Sequence, residues 1–334
     1  MDTAAPFRER TRADRERREA EDLAPAATRA LGAGDRARPE EPDPYRTAFE
    51  RDRDRILHSK AFRRLKHKTQ VFLNPEGDHY VTRLTHALQV TQVARSLAAG
   101  LGLNEALAEA IALGHDVGHT PFGHTGEEAL APYFSAGWHH AAQGVRVYEV
   151  LEDTNLTAEV RDGIRAHTWR IQPPPSTPEG MCVRYADRIA YLSHDALDAL
   201  RAGVVGRDDF PASTRAHLGE PGTEWIGRMV HAVIAHSLAT GEVAMTPETL
   251  AVMHEQRAFM FARVYLDGEN ERRKHGAIAV LRALMDHHLA HPEQVPPGYR
   301  DNDADLVTQV ADYVAGMTDR FALTTHDRLF RPRL

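Results

Sequence analysis

Three histidines fall within ten residues in the stretch Leu113-Gly114-His115-Asp116-Val117-Gly118-His119-Thr120-Pro121-Phe122-Gly123-His124. His115 and Asp116 are adjacent, and adjacent side chains on a helix point about 100° apart. The pair can bind one ion together only where a helix ends, and Gly118 predicts such an end. Histidine is the commonest metal ligand, and core packing does not explain a cluster of this kind. The stretch therefore predicts a metal site at the end of a helix.

The sequence around this stretch has a helical pattern. Apolar residues recur at three- and four-residue spacing from Val81 to Leu101, and Asn104 is placed to cap the next helix. Further helices are predicted near Ala141–Glu152, after Thr157, over Gly180–Ala202, and from Pro221 to Leu329 with interruptions near Gly268 and at Pro292–Pro297. No segment alternates polar and apolar residues, although a turn predicts a short hairpin near residues 74–80. The pattern predicts an all-α chain.

Composition excludes several classes of protein. The net charge of −7 argues against a general nucleic-acid-binding surface, which needs a local excess of Lys and Arg. No apolar run reaches the length of a membrane span, and the N-terminus lacks the apolar region of a signal peptide. The single cysteine, Cys182, cannot form an internal disulfide. We expect a cytoplasmic protein with no membrane association.

Residues 1–44 differ from the rest of the chain. Arg, Glu, Asp and Ala dominate from Phe7 to Asp22, and a stretch rich in Gly and Pro follows. Charge blocks without an apolar stripe are typical of disorder, so residues 1–44 are predicted to be a disordered charged tail. The alternative is a partner-binding tail. Residues 45–334 are predicted to form the folded part.

The other ligands of the predicted metal site must come from separate helices. His86 lies on the amphipathic segment before the His-Asp pair, and Asp187 lies on the predicted helix 180–202. Together with His115 and Asp116 they form a mixed nitrogen and oxygen set. Such a set suits Mn, Fe, Co, Ni or Zn better than Ca, and Mg usually prefers oxygen alone.

Asp187 also begins a polar face on its helix. Asp187, Tyr191 and Asp195 are spaced i, i+4 and i+8, so they share one side of the helix, and Arg188 is adjacent. The alternative is an ordinary solvated face with helix-stabilising pairs. Because the face starts at a predicted metal ligand, we favour a binding surface.

At these residues the sequence resembles the HD-domain superfamily, and within it the deoxyguanosinetriphosphate triphosphohydrolase-like proteins. The segments that carry the resemblance are Ser59–Leu65, Lys68–Phe72, Thr82–His86, His115–His124, Ala186–Tyr191, His194–Asp195 and Tyr313–Phe321. The resemblance covers nearly all of residues 45–334. It implies an HD-domain helical fold with additional C-terminal helices, and a divalent metal, most often Mn, held by His86, His115, Asp116 and Asp187.

The resemblance also implies an activity and the residues that serve it. The activity is hydrolysis of a deoxynucleoside triphosphate to the deoxynucleoside and inorganic triphosphate, by attack of water on the α-phosphorus. The residues with implied roles are Arg83, Arg188 and Tyr191 for the phosphates, Gln70 and Asp195 for the deoxyribose, and His124, Glu127 and His140 for acid–base catalysis. The family commonly has Asn where Ala141 stands. A homo-oligomer and a nucleotide effector are expected in the same way.

Two other functions are compatible with part of these features. An HD phosphohydrolase acting on nucleoside monophosphates or cyclic nucleotides shares the metal, but it needs fewer cations and no deoxyribose site. A nucleotide sensor or single-strand-binding protein with weak activity needs no complete ligand set. The combination of Arg83, Arg188, Tyr191 and Asp195 argues against the first of these, and the complete ligand set argues against the second.

Overall fold

The computed structural model describes residues 7–70, 81–265 and 268–331, and within them helices account for all of the regular structure. The helices are α1 Arg12–Asp22, α2 Ala48–His58, α3 Lys60–Arg64, α4 Arg83–Gly100, α5 Glu105–Gly114, α6 His124–Leu130, α7 His140–Arg146, α8 Ala158–Ala166, α9 Pro178–Arg201, α10 Ala212–Leu218, α11 Thr223–Thr240, α12 Pro247–Met260, α13 Gly268–Ala290, α14 Pro297–Arg300, α15 Leu306–Ala315 and α16 Asp319–Phe330. Thr69 and Thr82 form one isolated antiparallel bridge. The all-α prediction is confirmed. The hairpin predicted near residues 74–80 lies outside the described residues.

A first apolar cluster forms where α4 packs between α5 and α9. The predicted apolar stripe of α4 is buried there, with Val90, Ala94 and Leu97 fully inaccessible to solvent. Full burial of an aliphatic side chain of this size contributes about 1.5–3 kcal/mol, so the stripe accounts for the position of α4. Asn104 caps α5 as predicted, because its side-chain oxygen accepts hydrogen bonds from the backbone of Ala106 and Leu107 at 3.1 and 3.2 Å.

A second apolar cluster lies at the C-terminal end of the chain. Helices α13, α15 and α16 pack together there and against α6, with Leu130, Leu281 and Val314 fully buried. The segment that carries the His-Asp pair runs from the first cluster to the second, because Val117 belongs to one and Phe122 to the other. The fold therefore places the histidine-rich segment at the seam between the two clusters.

Residues 7–44 differ from the predicted disorder. Thr11 and Asp14 form a reciprocal capping box at the start of α1, and Ala27 and Ala30 are buried in the first cluster. Glu179 of α9 accepts a hydrogen bond from the backbone of Thr28 at 2.9 Å. The bond between Thr28 and Glu179 joins residues 151 positions apart, so charge and composition along the sequence do not reveal it.

One predicted helix start has a different cause from the one expected. Thr157 precedes α8 as predicted, but its hydroxyl donates to the carboxylate of Asp52 at 2.7 Å instead of capping the helix.

Among the described helices, none is long and apolar enough to cross a membrane.

Candidate active site

The His-Asp pair lies in a turn that follows α5. The helix ends at Gly114, four residues earlier than predicted from Gly118. Gly118 has another role, because a Cβ there would lie 2.1 Å from the carbonyl oxygen of His140 and 2.2 Å from the nitrogen of Gly144. The turn therefore rests directly on the backbone of α7, and only glycine permits this approach.

Three of the four predicted metal ligands form one group. His86 from α4, His115 from the turn and Asp187 from α9 place their ligand atoms within 4.8 Å of one another. The Nδ1 of His115 donates to the carbonyl of Ala112 at 2.7 Å, which leaves the lone pair on Nε2. This Nε2 is buried and has no hydrogen-bond partner among the described residues. A buried ring nitrogen in that state suits coordination of a cation.

Asp187 is ionised within this group. Burial opposes the charge, but the hydrogen bond with His86, whose Nε2 lies 3.1 Å from Oδ1, lowers the pKa of Asp187 to about 2. The carboxylate therefore carries its negative charge at neutral pH and is available as an oxygen ligand.

Asp116, the fourth predicted ligand, borders the group. Its Oδ1 lies 3.4 Å from the Nε2 of His115, and its Oδ2 accepts a hydrogen bond from Arg83 at 2.8 Å. Burial opposes ionisation of Asp116, but the neighbouring His115 ring and the Arg83 guanidinium hold its pKa well below the usual range. Asp116 also belongs to a second possible metal-binding group with His140 and His167. The family resemblance assigned Arg83 to the phosphates. In the structure its guanidinium also pairs with Asp116, a predicted metal ligand.

Glu127 connects the two histidines predicted for acid–base chemistry. One oxygen contacts Nδ1 of His140, and the other lies 3.0 Å from Nδ1 of His124. Burial raises the pKa of Glu127, but the two histidines more than compensate and hold it well below the usual range. The His124 side chain is 65% exposed, whereas His140 is buried. The structure thus brings the three residues together as one hydrogen-bonded group.

Two further histidines belong to the site, and the sequence reading gave neither a role. His119 stacks on His140 with ring centroids 3.8 Å apart, and burial and the charge of Arg83 keep its pKa well below the usual value. His167 follows α8, and burial together with the neighbouring His115 ring lowers its pKa to about 3. His119 lay in the quoted stretch, whereas His167 is a single histidine without a spacing signal.

These groups open into a cavity of about 480 Å³. The five residues assigned to the substrate all line it: Gln70, Arg83, Arg188, Tyr191 and Asp195. The sequence reading missed an aromatic and cationic wall formed by Trp169, Arg170, Arg257, Phe261 and Lys274. The guanidinium of Arg188 lies over the Trp169 ring at 3.9 Å. The oxygen of the Gln70 amide is buried without a hydrogen-bond partner in the described part of the chain.

Two family models match this chain, one after the other along the sequence. A family model described as the HD domain matches residues 83–192, and a model described as the phosphohydrolase-associated domain matches residues 243–328. The first match runs from Arg83 through both predicted acidic ligands to the helix that bears Tyr191. The second covers the C-terminal helices.

Several curated proteins are similar over most of their length, and each carries the name deoxyguanosinetriphosphate triphosphohydrolase-like protein. One from Caldanaerobacter subterraneus is 46% identical over 93% of this chain and 93% of its own. One from Desulfatibacillum aliphaticivorans is 44% identical over 95% and 97%, and one from Clostridium perfringens is 42% identical over 89% and 91%. A crystal structure of a hypothetical protein from Aquifex aeolicus aligns with a TM-score of 0.49 at 20% identity, covering 84% of this chain and 68% of that chain.

Proposed function

Since the chain belongs to the family of deoxyguanosinetriphosphate triphosphohydrolase-like proteins and contains an HD domain, we propose that it hydrolyses deoxynucleoside triphosphates to the deoxynucleoside and inorganic triphosphate. One observation carries the proposal. The group of His86, His115 and Asp187 adjoins a cavity whose wall supplies cations and a buried carboxylate. An anionic phosphate next to a sugar hydroxyl is the chemistry that such a wall fits.

His86, His115, Asp116 and Asp187 are the residues that would hold a divalent cation. The buried Nε2 of His115, which has no hydrogen-bond partner within the described ranges, and the low pKa of Asp187 support this assignment. A divalent cation neutralises phosphate charge and makes water a stronger acid. We favour Mn for the mixed nitrogen and oxygen set, with Fe, Co, Ni, Zn and Mg as the metals to compare.

The triphosphate would lie along the cationic wall. Arg188 is the central residue there, because its stacking on Trp169 holds the planar guanidinium in place. Arg170 and Arg257 line the same cavity and add positive charge, whereas Lys274 there pairs with Glu128 at 2.6 Å. Arginine forms paired hydrogen bonds with phosphate oxygens, so the wall suits a polyphosphate better than a neutral group.

The deoxyribose would be bound by Asp195 and Gln70, with the ring of Tyr191, a phosphate contact by resemblance, lying beside the sugar. The Asp195 carboxylate can accept a hydrogen bond from the 3′-hydroxyl, and the buried amide oxygen of Gln70 provides a second acceptor. Burial raises the pKa of Tyr191, so the phenol stays neutral at physiological pH. Its ring would crowd a 2′-hydroxyl and thereby favour deoxy substrates.

In the reaction, water attacks the α-phosphorus, the bond from phosphorus to the 5′-oxygen breaks, and that oxygen takes up a proton. We assign the proton donor to His124, because it lines the cavity and Glu127 fixes its Nδ1. His140 lies deeper, between His119 and His167, and Glu127 holds its Nδ1 as well. His140 would accept the proton of the attacking water.

The test is to incubate the Mn-loaded protein with each of the four deoxynucleoside triphosphates in ¹⁸O-labelled water. Phosphorus NMR should show inorganic triphosphate with one ¹⁸O, since attack at phosphorus puts the label on that product. Release of pyrophosphate or orthophosphate would instead support a different HD phosphohydrolase. No turnover of any nucleotide with any of the six metals would support a sensor or single-strand-binding protein.

We further propose that the chain forms a homo-oligomer. Helix α16 exposes Phe321, Leu323 and Phe330, each at least 40% accessible to solvent. Leu323 and Phe330 are seven residues apart and so share one side of the helix, and exposed apolar groups on one face commonly mark a protein interface. Light scattering coupled to gel filtration should give a mass above the 37.3 kDa of one chain, and a mass of one chain at micromolar concentration would contradict the proposal.

A further inference from the structure

Asp319, the first residue of α16, joins two segments that are distant in sequence. Its Oδ2 accepts hydrogen bonds from the backbone nitrogen of Thr69 at 3.0 Å and from the Thr69 hydroxyl. Its Oδ1 accepts a hydrogen bond from the backbone nitrogen of Phe122 at 3.0 Å. One carboxylate therefore holds both segments at once.

Both segments belong to the wall of the cavity. Thr69 precedes Gln70, which we assign to the sugar, and Phe122 lies two residues before His124, which we assign to the leaving oxygen. The cavity thus has an acceptor for the sugar on one segment and a proton donor on the other. Asp319 fixes the spacing between them.

The backbone at Phe122 needs an external partner. Phe122 has φ of 61°, a left-handed conformation that side chains with a Cβ rarely adopt. Gly123 follows with φ of 59°, and a Cβ there would lie 2.5 Å from a guanidinium nitrogen of Arg83. The turn is strained and closely packed, and the bond to Asp319 satisfies the backbone nitrogen of Phe122.

The usual explanation for an acidic residue in the first turn of a helix is stabilisation of that helix. In α16 the cap is Thr318, whose hydroxyl accepts from the backbone of Phe321 at 3.2 Å. Both oxygens of Asp319 instead bond to Thr69 and Phe122. The contacts therefore indicate a role in the cavity rather than in capping.

A second set of hydrogen bonds, made by Lys68, connects the same parts of the chain and supports this interpretation. The buried amine of Lys68 donates to the carbonyl of Ala315 at 3.0 Å and to the carbonyl of His119. The segment before Gln70, the histidine-rich turn and the end of α15 are thus held together next to Asp319.

We infer that Asp319 is a positioning residue that sets the spacing between Gln70 and His124, and thereby the placement of the sugar relative to the proton donor. The inference rests on the proposed function for the roles of those two residues. It extends the site to α16, which places no ligand in the predicted metal group.

The main test variant is Asp319→Asn. An amide has one acceptor oxygen and a donor NH₂ group, so it cannot accept from both Thr69 and Phe122. Misplacement of reacting groups by about 1 Å can lower a rate about 100-fold, and we expect kcat/KM for the best deoxynucleotide to fall about 10- to 100-fold. KM should rise and kcat should fall, while bound Mn per chain stays at the wild-type value.

The matched control is Asp327→Asn on the same helix. The Asp327 side chain is 46% exposed and pairs with Arg331 at 3.1 Å and with His326, neither of which belongs to the segments of Thr69 and Phe122. This variant should keep wild-type kcat and KM. An Asp319→Asn enzyme whose KM is unchanged, and whose kcat falls only in proportion to its bound Mn, would overturn the inference.

A second pair of variants approaches the tie from the other side, in case Asp319→Asn folds poorly. Thr69→Val removes the hydroxyl donor and should reduce kcat/KM, whereas Thr69→Ser keeps the donor and should restore it. Equal activity of both Thr69 variants and wild type, together with wild-type hydrogen exchange at the amides of residues 69 and 122, would contradict the positioning role.

Hydrogen exchange separates this inference from the proposed function, because it needs no turnover. In Asp319→Asn, the backbone amides of Thr69 and Phe122 should exchange faster than in wild type and in Asp327→Asn. Unchanged exchange at both amides would show that Asp319 does not protect them by hydrogen bonding. Faster exchange in a protein whose wild type hydrolyses no deoxynucleotide would show that the tie exists and that the proposed function has failed.

Discussion

The Nε2 atoms of His140 and His167 lie 3.1 Å apart inside the site. The Nδ1 of His167 must donate, because its partner at 2.7 Å is the carbonyl of Ile164. The Nδ1 of His140 contacts the ionised Glu127, so it donates as well. If both rings are neutral, each Nε2 carries a lone pair directed at the other ring, and a proton or a cation between the two nitrogens removes their repulsion.

His167→Phe tests this relationship. The substitution keeps a flat ring against His140 but removes the facing nitrogen, so the environment of the proposed base changes while its support from Glu127 remains. Residues that support a site from behind typically contribute about 10- to 100-fold, and we expect kcat to fall by about 10-fold or more with little change in KM. Steady-state kinetics with the four deoxynucleotides provides the measurement, and a wild-type kcat would contradict it.

Asp187→Ala and Asp116→Ala should both abolish metal binding and turnover, but they should differ in stability. Asp116 pairs with the buried Arg83, and removal of one partner of a buried pair costs about 3–5 kcal/mol. Urea unfolding in EDTA should therefore show a larger loss for Asp116→Ala than for Asp187→Ala. Bound metal is measured by mass spectrometry, with the exposed Asp208→Ala as a matched control. Retained metal in either variant would refute its assignment as a ligand.

Trp169→Leu should weaken substrate binding. The Trp169 ring supports the guanidinium of Arg188 at 3.9 Å, and its Nε1 donates to the carbonyl of Arg184 at 2.9 Å. A cation–π contact of this kind contributes about 1–2 kcal/mol when it is shielded from water, so KM should rise about 5- to 30-fold. Trp169→Phe keeps an aromatic face and should show a smaller rise. Equal KM values for the two variants would argue against stacking as the cause.

Asp312→Ala should destabilise the protein and detach α7. Its carboxylate accepts hydrogen bonds from the side chains of Gln143 at 2.8 Å and of Arg146, and it is 1% exposed. Loss of this buried partner should cost about 3–5 kcal/mol in the free energy of unfolding. Asp312→Asn keeps one acceptor and should cost less. Denaturant midpoints at fixed metal concentration distinguish the two variants. Midpoints equal to that of wild type in both variants would show that the contacts of Asp312 do not stabilise the fold.

Acid should destabilise the fold through His288 of α13. Burial lowers the pKa of this histidine to about 4, whereas an unfolded histidine titrates near pH 6.5. Between these values the unfolded chain binds more protons, so stability is lost as pH falls from about 6.5 towards 4. His288→Phe should reduce the difference in denaturant midpoint between pH 7 and pH 5. The control variant His231→Gln, at an exposed histidine, should leave this difference unchanged. The same difference in wild type and in both variants would exclude His288 as a cause.

Local periodicity was sufficient to predict the helices that form the centre of the fold. The apolar stripe of α4 and the cap at Asn104 depend on residues a few positions apart, and such interactions are visible in sequence. The ordered residues 7–44 were missed because their anchors connect them to Glu179 and Asp52, more than a hundred residues away in one case. Contacts of that range leave no periodic signal.

The site was predictable to a similar extent. The pairing of His115 with Asp116, and the polar face that starts at Asp187, identified residues that the structure brings together. His167 could not be assigned, since a lone histidine after a helix resembles any other. Asp319 was visible as part of a C-terminal motif, but its bonds to Thr69 and Phe122 exist only in three dimensions.

At Gly118 the main chain of the His-Asp turn lies against the main chain of α7, with no room for a methyl group between them. The separation of Asp116 from His140 is therefore set by two backbones in contact and not by side chains that can change rotamer. If the proposed function holds, substitutions among the residues that line the cavity can alter which nucleobase fits, while the backbone contact at Gly118 keeps the His-Asp turn against α7.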